Sequence, residues 1–279
     1  RRIGSPAMRS SRKSAIAVTS GSSGMGQVCS SERVSAQLSD GELAAEIARG
    51  AGRILLGVRH GGLLDGRLIG DAGDQIAQAW IGAALRRRRP HDAVLSEEAD
   101  DVGDRSTAER VWIIDPLDGT SEFCHGTADW AVHVALTVNG RPTAAAVAIP
   151  ARDELFRSDD VEQVGGSLTG RIAVSRYGGS YESAHVANAL GLQRVSIGSA
   201  GAKAMAVVRG DVDAYVHAGG QYEWDNCAPV GVALAAGLHC SRLDGTPIVY
   251  NQPYPYMPDF VICRSELRED MLASLAEIW

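Results

Sequence analysis

Apolar residues first settle into a sustained period at Leu43, Ile47, Ala51, Ile54, Leu55 and Val58, the spacing of an amphipathic helix, with Asp40 as its expected N-cap. A second helix is expected after Asp74, carrying Ile76, Ala77, Trp80, Ile81 and Ala84 on one face and Arg86 to Arg89 in its last turn before Pro90. Cations there complement the negative end of the helix dipole, and a solvated helix end is the expected role of that arginine run. Short apolar runs then predict strands at residues 93–95 and 111–114. A longer run over 130–138 leads through Asn139-Gly140 into 144–149, and Asn-Gly between two apolar runs signals a β-hairpin.

After Pro150 the pattern alternates. Strands are expected at 171–174, 195–197 and 213–217, and helices at 181–190, 200–209 and 225–236. An α+β half followed by an α/β half gives a mixed fold class, with an N-terminal lobe at residues 39–155 and a C-terminal lobe at 156–279. Residues 1–38 are rich in Ser, Gly and Arg without periodicity and read as a flexible or non-native leader. Within it, Ile16-Ala17-Val18 followed by Gly21, Gly24 and Gly26 has the glycine spacing of a dinucleotide turn but lacks the crossover helix and second strand that would support it.

Composition narrows the function classes. At 279 residues, with 45% hydrophobic and 22% charged residues, the chain has enough apolar material for a core without staples. A net charge of -7 argues against a nucleic-acid polymer or a membrane surface as partner, though not against a small anion bridged by cations. The 130–138 run is interrupted by His133 and is shorter than the ~20 apolar residues of a membrane span, and no signal peptide is apparent. Five widely spaced cysteines contain no C-x-x-C pair, which reads as reduced thiols and a cytoplasmic setting.

The segment richest in chemistry is Val111 to Thr120, in which an apolar strand ends at Asp115, Pro116 turns the chain and Asp118 follows three residues on. Gly119 allows close approach of backbone to an anion, and Thr120 adds a hydroxyl. Two adjacent carboxylates repel unless a cation lies between them, and hard oxygen donors suit magnesium or manganese. The same residues are also good turn chemistry, so this segment alone leaves turn and metal loop open. Glu97 after the 93–95 strand would pass as a surface acid, and Asp225 before an apolar helix as an N-cap.

Together, however, Asp115-Pro-Leu-Asp-Gly-Thr120, Trp224-Asp225-Asn-Cys-Ala-Pro229 and the acid at Glu97 resemble the inositol monophosphatase superfamily, in order and spacing, from about Asp40 onward. The resemblance implies a layered α-β-α-β-α sandwich and hydrolysis of a small phosphate monoester under two or three Mg2+ ions, with Mn2+ as a substitute. Carried over by position, Glu97, Asp115 and the carbonyl of Leu117 would hold one ion, and Asp115, Asp118 and Asp225 another. Asp74 would act with Thr120 and Glu97 on the attacking water, and the Leu117 to Thr120 turn with Glu97 and Asp225 would receive the phosphate. Asp71-Ala-Gly-Asp74 departs from the family's usual Thr-x-x-Asp. Family members are often dimers, which leaves a homodimer open, without an interface signal in the sequence.

Within that superfamily, Ile172 to Arg176 and Gly198 to Lys203 resemble the bacterial sulfur-assimilation nucleotidases that remove the 3′-phosphate of adenosine 3′,5′-bisphosphate. Arg176 and Lys203 are then expected at the second phosphate as charge-assisted donors, with Ser175 among the substrate-binding residues. Tyr222 and Trp224 offer aromatic surface near the site, or core packing. His125 and His133 read as structural histidines, and Cys124 and Cys227 as small packing residues. The alternatives are an inositol 1-phosphate or fructose 1,6-bisphosphate phosphatase of the same fold, and a metal- and phosphate-binding sensor without turnover.

Overall fold

The structure, a computed structural model, describes residues 38–99 and 105–278, so the expectations for the leader and its glycine turn lie outside the described residues. Helices α1 (Asp40–His60) and α2 (Gly66–Arg88) come first, followed by β1 (Ala93–Ser96), β2 (Arg110–Asp118), α3 (Thr120–Cys124), β3 (Ala131–Val138), β4 (Arg141–Ile149) and β5 (Glu154–Arg157). Then come β6 (Arg171–Ser175), α4 (Tyr181–Ala189), β7 (Gln193–Ile197), α5 (Ala200–Val208), β8 (Ala214–Tyr222), α6 (Glu223–Ala235), β9 (His239–Ser241), β10 (Tyr256–Cys263) and α7 (Arg268–Ala276). No described helix is long and apolar enough to cross a membrane.

Two five-stranded sheets form, in the orders β1-β2-β3-β4-β5 and β7-β6-β8-β10-β9. Side chains alternate across a strand, so β2 sends Val111 and Ile113 into one core and Trp112 and Ile114 into another. Covering a sheet on both faces turns its central strands into continuous apolar runs, which is why 130–138 lacks polar alternation. Helices α1 and α2 close the outer face of the first sheet. Helices α5 and α6 fill the layer between the sheets, where Tyr215, Phe260 and Ile262 reach them from the second. Helices α4 and α7 cover the far face of that sheet against Ile172, Val216, Val261 and Cys263. The result is the layered α-β-α-β-α sandwich.

Several boundaries differ from the sequence reading. The cap of α1 is Ser39 instead of Asp40: Ser39 Oγ accepts from Glu42 N–H at 3.1 Å while Glu42 accepts from Ser39 N–H at 2.8 Å. Asp40 pairs with Arg89 and Arg110, so Arg89 is bound where a solvated helix end was expected. Helix α2 starts eight residues before Asp74, because Gly70 and Gly73 are contact glycines and not breakers. A Cβ on Gly70 would lie 2.7 Å from Thr120 Cγ2 and 2.8 Å from Cys124 Sγ, and one on Gly73 3.1 Å from Leu55. Strand β10 is obscured in sequence by Pro258 and Asp259. The structure absorbs them in a register irregularity between Met257 and Asp259 and pairs buried Asp259 with Arg242.

The glycines of the first two helices give a test with opposite signs. Gly57 in α1 is exposed with nothing within 4 Å of an added Cβ, so Gly57→Ala should stabilise by roughly 0.5–1 kcal/mol through helix propensity. Gly70→Ala should instead destabilise by about 1–3 kcal/mol, because the methyl pushes on Thr120 and Cys124. Urea denaturation of both variants is the measurement, and equal stabilisation would mean that α2 need not approach Thr120 closely.

Candidate active site

Strand β2 delivers its two acids by breaking its own pairing. Asp115 stays in register with His133, the ladder shifts between Asp115 and Asp118, and pairing resumes at Asp118 opposite Ala131. Pro116 has no N–H to donate, and Leu117 N–H turns in to Asp115 Oδ1 at 3.0 Å. Gly119 then adopts φ 86°, a left-handed conformation that glycine tolerates, and opens the short helix α3 at Thr120. Thr120 Oγ1 donates to the Leu117 carbonyl at 3.2 Å. Asp115 and Asp118 are buried, at 1% and 6% exposure.

The other acids arrive from separate elements. Asp225 lies in the first turn of α6, and its Oδ2 accepts from Tyr222 N–H at 2.6 Å. Asp115, Asp118 and Asp225 each place a carboxylate oxygen within 4.8 Å of the others, the arrangement of a cation site. Glu97, just after β1, borders this trio and bonds to Asp115. Asp74 is buried in the middle of α2, bonded to Thr120, with Oδ1 lacking any partner.

Repulsion and burial govern the electrostatics. Desolvation, then the charges of Glu98 and Glu97, push Asp74 up to about 7. Desolvation and the charge of Asp225 push Glu97 to about 7, while desolvation and Asp118 push Asp225 to about 6. Asp115, fully buried beside Glu97, is pushed well above the usual range. Asp118 goes the other way despite its burial, down to about 2, because His133 and Lys203 stand beside it and backbone N–H groups bind it. Acids gathered at a partly buried site and only in part compensated by His133 and Lys203, together with an orphaned oxygen on Asp74, fit a cation-binding site.

Three supports hold Asp118, one passed over by the sequence reading, one expected and one placed elsewhere. The first turn of α5 clamps Asp118 through Ala200 N–H at 3.0 Å and Gly201 N–H at 2.6 Å. His133, a structural histidine as expected, sets Nε2 3.2 Å from Asp118 Oδ2 and Nδ1 3.2 Å from the Trp224 carbonyl. Lys203 is only 5% exposed, and its ammonium donates to the carbonyls of Ser199 and Gly198 beneath α5. It is therefore neither a solvated helix end nor, in this structure, a surface cation for a second phosphate. Arg176, expected at that phosphate, is bound to Asp129, which Arg152 also pairs with from the turn after β4. Ser175 ends β6 and accepts from Tyr177 N–H at 3.4 Å.

Raised carboxyls bind protons in the folded chain that the unfolded chain releases near pH 4, so their stabilising contribution is present below that value and lost as pH rises through 6 and 7. Asp118 has the opposite sign, but its window lies below pH 4. In a chelator the melting temperature should accordingly drop between about pH 5.5 and pH 8, and a divalent cation should raise it more at the higher pH. Differential scanning fluorimetry reads both, and a cation shift equal at the two pH values would speak against a carboxylate cation site.

Comparison with known proteins places this geometry in context. The inositol monophosphatase family matches residues 42–279. The 3′-phosphoadenosine 5′-phosphate phosphatase of Mycobacterium leprae is 51% identical over 262 residues, spanning 88% of this chain and 96% of that protein. The 3′(2′),5′-bisphosphate nucleotidase CysQ of Escherichia coli is 31% identical over 193 residues, spanning 64% and 78%. Among solved structures, CysQ from Bacteroides thetaiotaomicron is 25% identical with a TM-score of 0.69, covering 80% of this chain and 96% of that one. An inositol monophosphatase from Anabaena, at 24% identity, shares the fold with a TM-score of 0.69 over 86% and 96% of the two chains.

Proposed function

The chain belongs to the inositol monophosphatase family, and on that premise we propose that it removes the 3′-phosphate of adenosine 3′,5′-bisphosphate by metal-dependent hydrolysis, leaving AMP and phosphate. It is a phosphatase acting on a small phosphate monoester. The substrate follows the relatives that match it along nearly their whole length. The observation that carries the chemistry is the trio Asp115, Asp118 and Asp225 within 4.8 Å, with Glu97, Asp74 and Thr120 around it. Four described cysteines are free thiols, in keeping with a cytoplasmic enzyme.

In this reading Glu97, Asp115 and the Leu117 carbonyl would hold one Mg2+ and Asp115, Asp118 and Asp225 another; the donors are all oxygens, the set that magnesium prefers. When bound, such ions lower the pKa of coordinated water and neutralise charge on the phosphoryl oxygens. The chain's own residues supply the rest. Asp74, held near 7, keeps Oδ1 free to accept a proton from water while its bond to Thr120 fixes its direction. Thr120 has one hydroxyl proton to share between the Leu117 carbonyl, 3.2 Å away, and Asp74; turned to the ionised Asp74 it holds that carboxylate, and its oxygen accepts from the same water. Gly119 keeps the turn free of a Cβ that would meet Ser199 at 2.8 Å, so the residue that caps α5 can pack directly against the loop. Lys203 acts from behind, as a buried countercharge to Asp118, Glu122 and Asp225. For the second phosphate the reading keeps Arg176. Asp129 holds it half-buried beside Arg152, and two guanidiniums sharing one carboxylate retain a net positive charge.

Two variants test this assignment. Asp115→Asn should leave the fold intact by circular dichroism and lower turnover by at least ~10³-fold, since Asp115 serves both ion positions. Arg176→Ala should lower kcat/KM for adenosine 3′,5′-bisphosphate about tenfold while changing inositol 1-phosphate hydrolysis little, the size of one charge-assisted bond. A folded Asp115→Asn enzyme retaining a tenth of its activity, or a wild type that prefers inositol 1-phosphate, would overturn the reading.

A further inference from the structure

Four aromatic rings stand together where β8 ends and β10 begins, and the reaction as described makes no use of them. Tyr222 and Trp224 are stacked at 4.7 Å between ring centroids with 6° between their planes. Tyr256 meets Tyr222 edge-on at 5.8 Å and 81°, and Tyr254 stacks on Tyr256 at 6.0 Å and 27°. The rings thus form a flat face with a perpendicular wall. Tyr222 is 36% exposed, Tyr256 38% and Tyr254 69%, so the cluster faces water although its apolar area would favour burial.

The same bonds that orient the acids fix these rings. Tyr222 N–H donates to Asp225 Oδ2 at 2.6 Å, and the Trp224 carbonyl accepts from His133, which itself touches Asp118. Between the two rings, Glu223 is fully buried and ties down the segment leading to Tyr254 and Tyr256. Its carboxylate accepts from Asn251 N–H at 2.7 Å and Gln252 N–H at 2.8 Å, and its own N–H donates to the Pro255 carbonyl at 2.8 Å. Both rings therefore hold a set position one or three residues from a carboxylate of the cation site.

We infer that this platform is the subsite for the base of the substrate, stacking a nucleobase against the exposed tyrosine rings while the 3′-phosphate lies at the carboxylates. The inference rests on the nucleoside bisphosphate reading above and deepens it. A ring held rigidly at the edge of a phosphate site loses little entropy when a planar heterocycle covers it. Every base presents a π-face, so stacking gives affinity for a nucleobase with little choice among bases. Selectivity for a nucleotide over a sugar phosphate would then come from the rings, and selectivity for the second phosphate from the guanidiniums.

The test compares adenosine 3′,5′-bisphosphate with 2-deoxyribose 3,5-bisphosphate, which keeps both phosphates and lacks the base. The wild type should prefer the base-bearing substrate by about ten- to hundredfold in kcat/KM, mainly through KM, and Tyr222→Leu and Tyr254→Leu should each lower that preference several-fold. Guanosine and uridine 3′,5′-bisphosphates should be accepted within about tenfold of the adenosine compound. A preference ratio unmoved in both folded variants overturns the inference. Calorimetric titration with AMP keeps the platform testable apart from turnover. If the wild type hydrolyses neither bisphosphate, the functional reading fails, while AMP binding weakened about tenfold in Tyr222→Leu still supports a base subsite and unaltered binding overturns it. Sedimentation that shows a wild-type dimer dissociating in the tyrosine variants, with AMP binding unchanged, would make the platform an interface between copies and also overturn the inference.

Discussion

Bringing Asp115, Asp118 and Asp225 within 4.8 Å of one another is the constraint around which this fold is organised. Buried carboxylates at that distance repel, and burial adds a desolvation cost to each charge. The chain meets the cost in two ways. Asp118 is held ionised by α5 backbone N–H groups, His133 and Lys203, whereas Asp115, Glu97 and Asp225 are left to rise. The cluster is thus half-compensated by the protein, and the remainder is what a cation would supply.

That division explains why the middle layer is built as it is. Helix α5 is completely buried and begins with Ala200-Gly201-Ala202, residues small enough for its first turn to reach the carboxylate of Asp118. A Cβ on Gly201 would meet His133 and, at 3.1 Å, Asp118 itself. Helix α6 provides Asp225 from its own first turn. Two helix N-termini and one interrupted strand converge, so partial positive charge from backbone dipoles faces the acids from two directions. The outer helix α2 closes the site through Gly70 and Asp74, where a glycine and an acid one turn apart bring a buried carboxyl against Thr120.

Much of this was legible in the sequence because it is local. The Asp115 to Thr120 turn, the hairpin at Asn139-Gly140 and the alternation after Pro150 are properties of short windows, and they appear in the structure within a few residues of where the pattern put them. What the pattern missed depends on partners far apart in the chain. Ala200 N–H reaches Asp118 across 82 positions, and the Trp224 carbonyl meets His133 across 91. The first turns of α2 were missed because a window holding Gly70 and Gly73 cannot show that another element will occupy the space of the missing side chain. Lys203 and Arg176 were assigned to the second phosphate by resemblance and by their charge. Charge does not tell whether a cation meets a substrate or an internal carboxylate, and here both meet internal partners first.

The position of Lys203 also separates two properties that the sequence ran together. A buried ammonium bonded to the carbonyls of Gly198 and Ser199 and close to Asp118 stabilises the cluster for any phosphate that enters. It therefore belongs to catalysis in general. Groups that distinguish one phosphate ester from another must instead be open to solvent before substrate arrives, and in the function proposed above those would be the Asp129-bound arginines and the tyrosine rings at the end of β8. Buried countercharge sets how well the site works, and exposed charge and aromatic surface set what it works on. The two can change independently because they share backbone supports without sharing side chains.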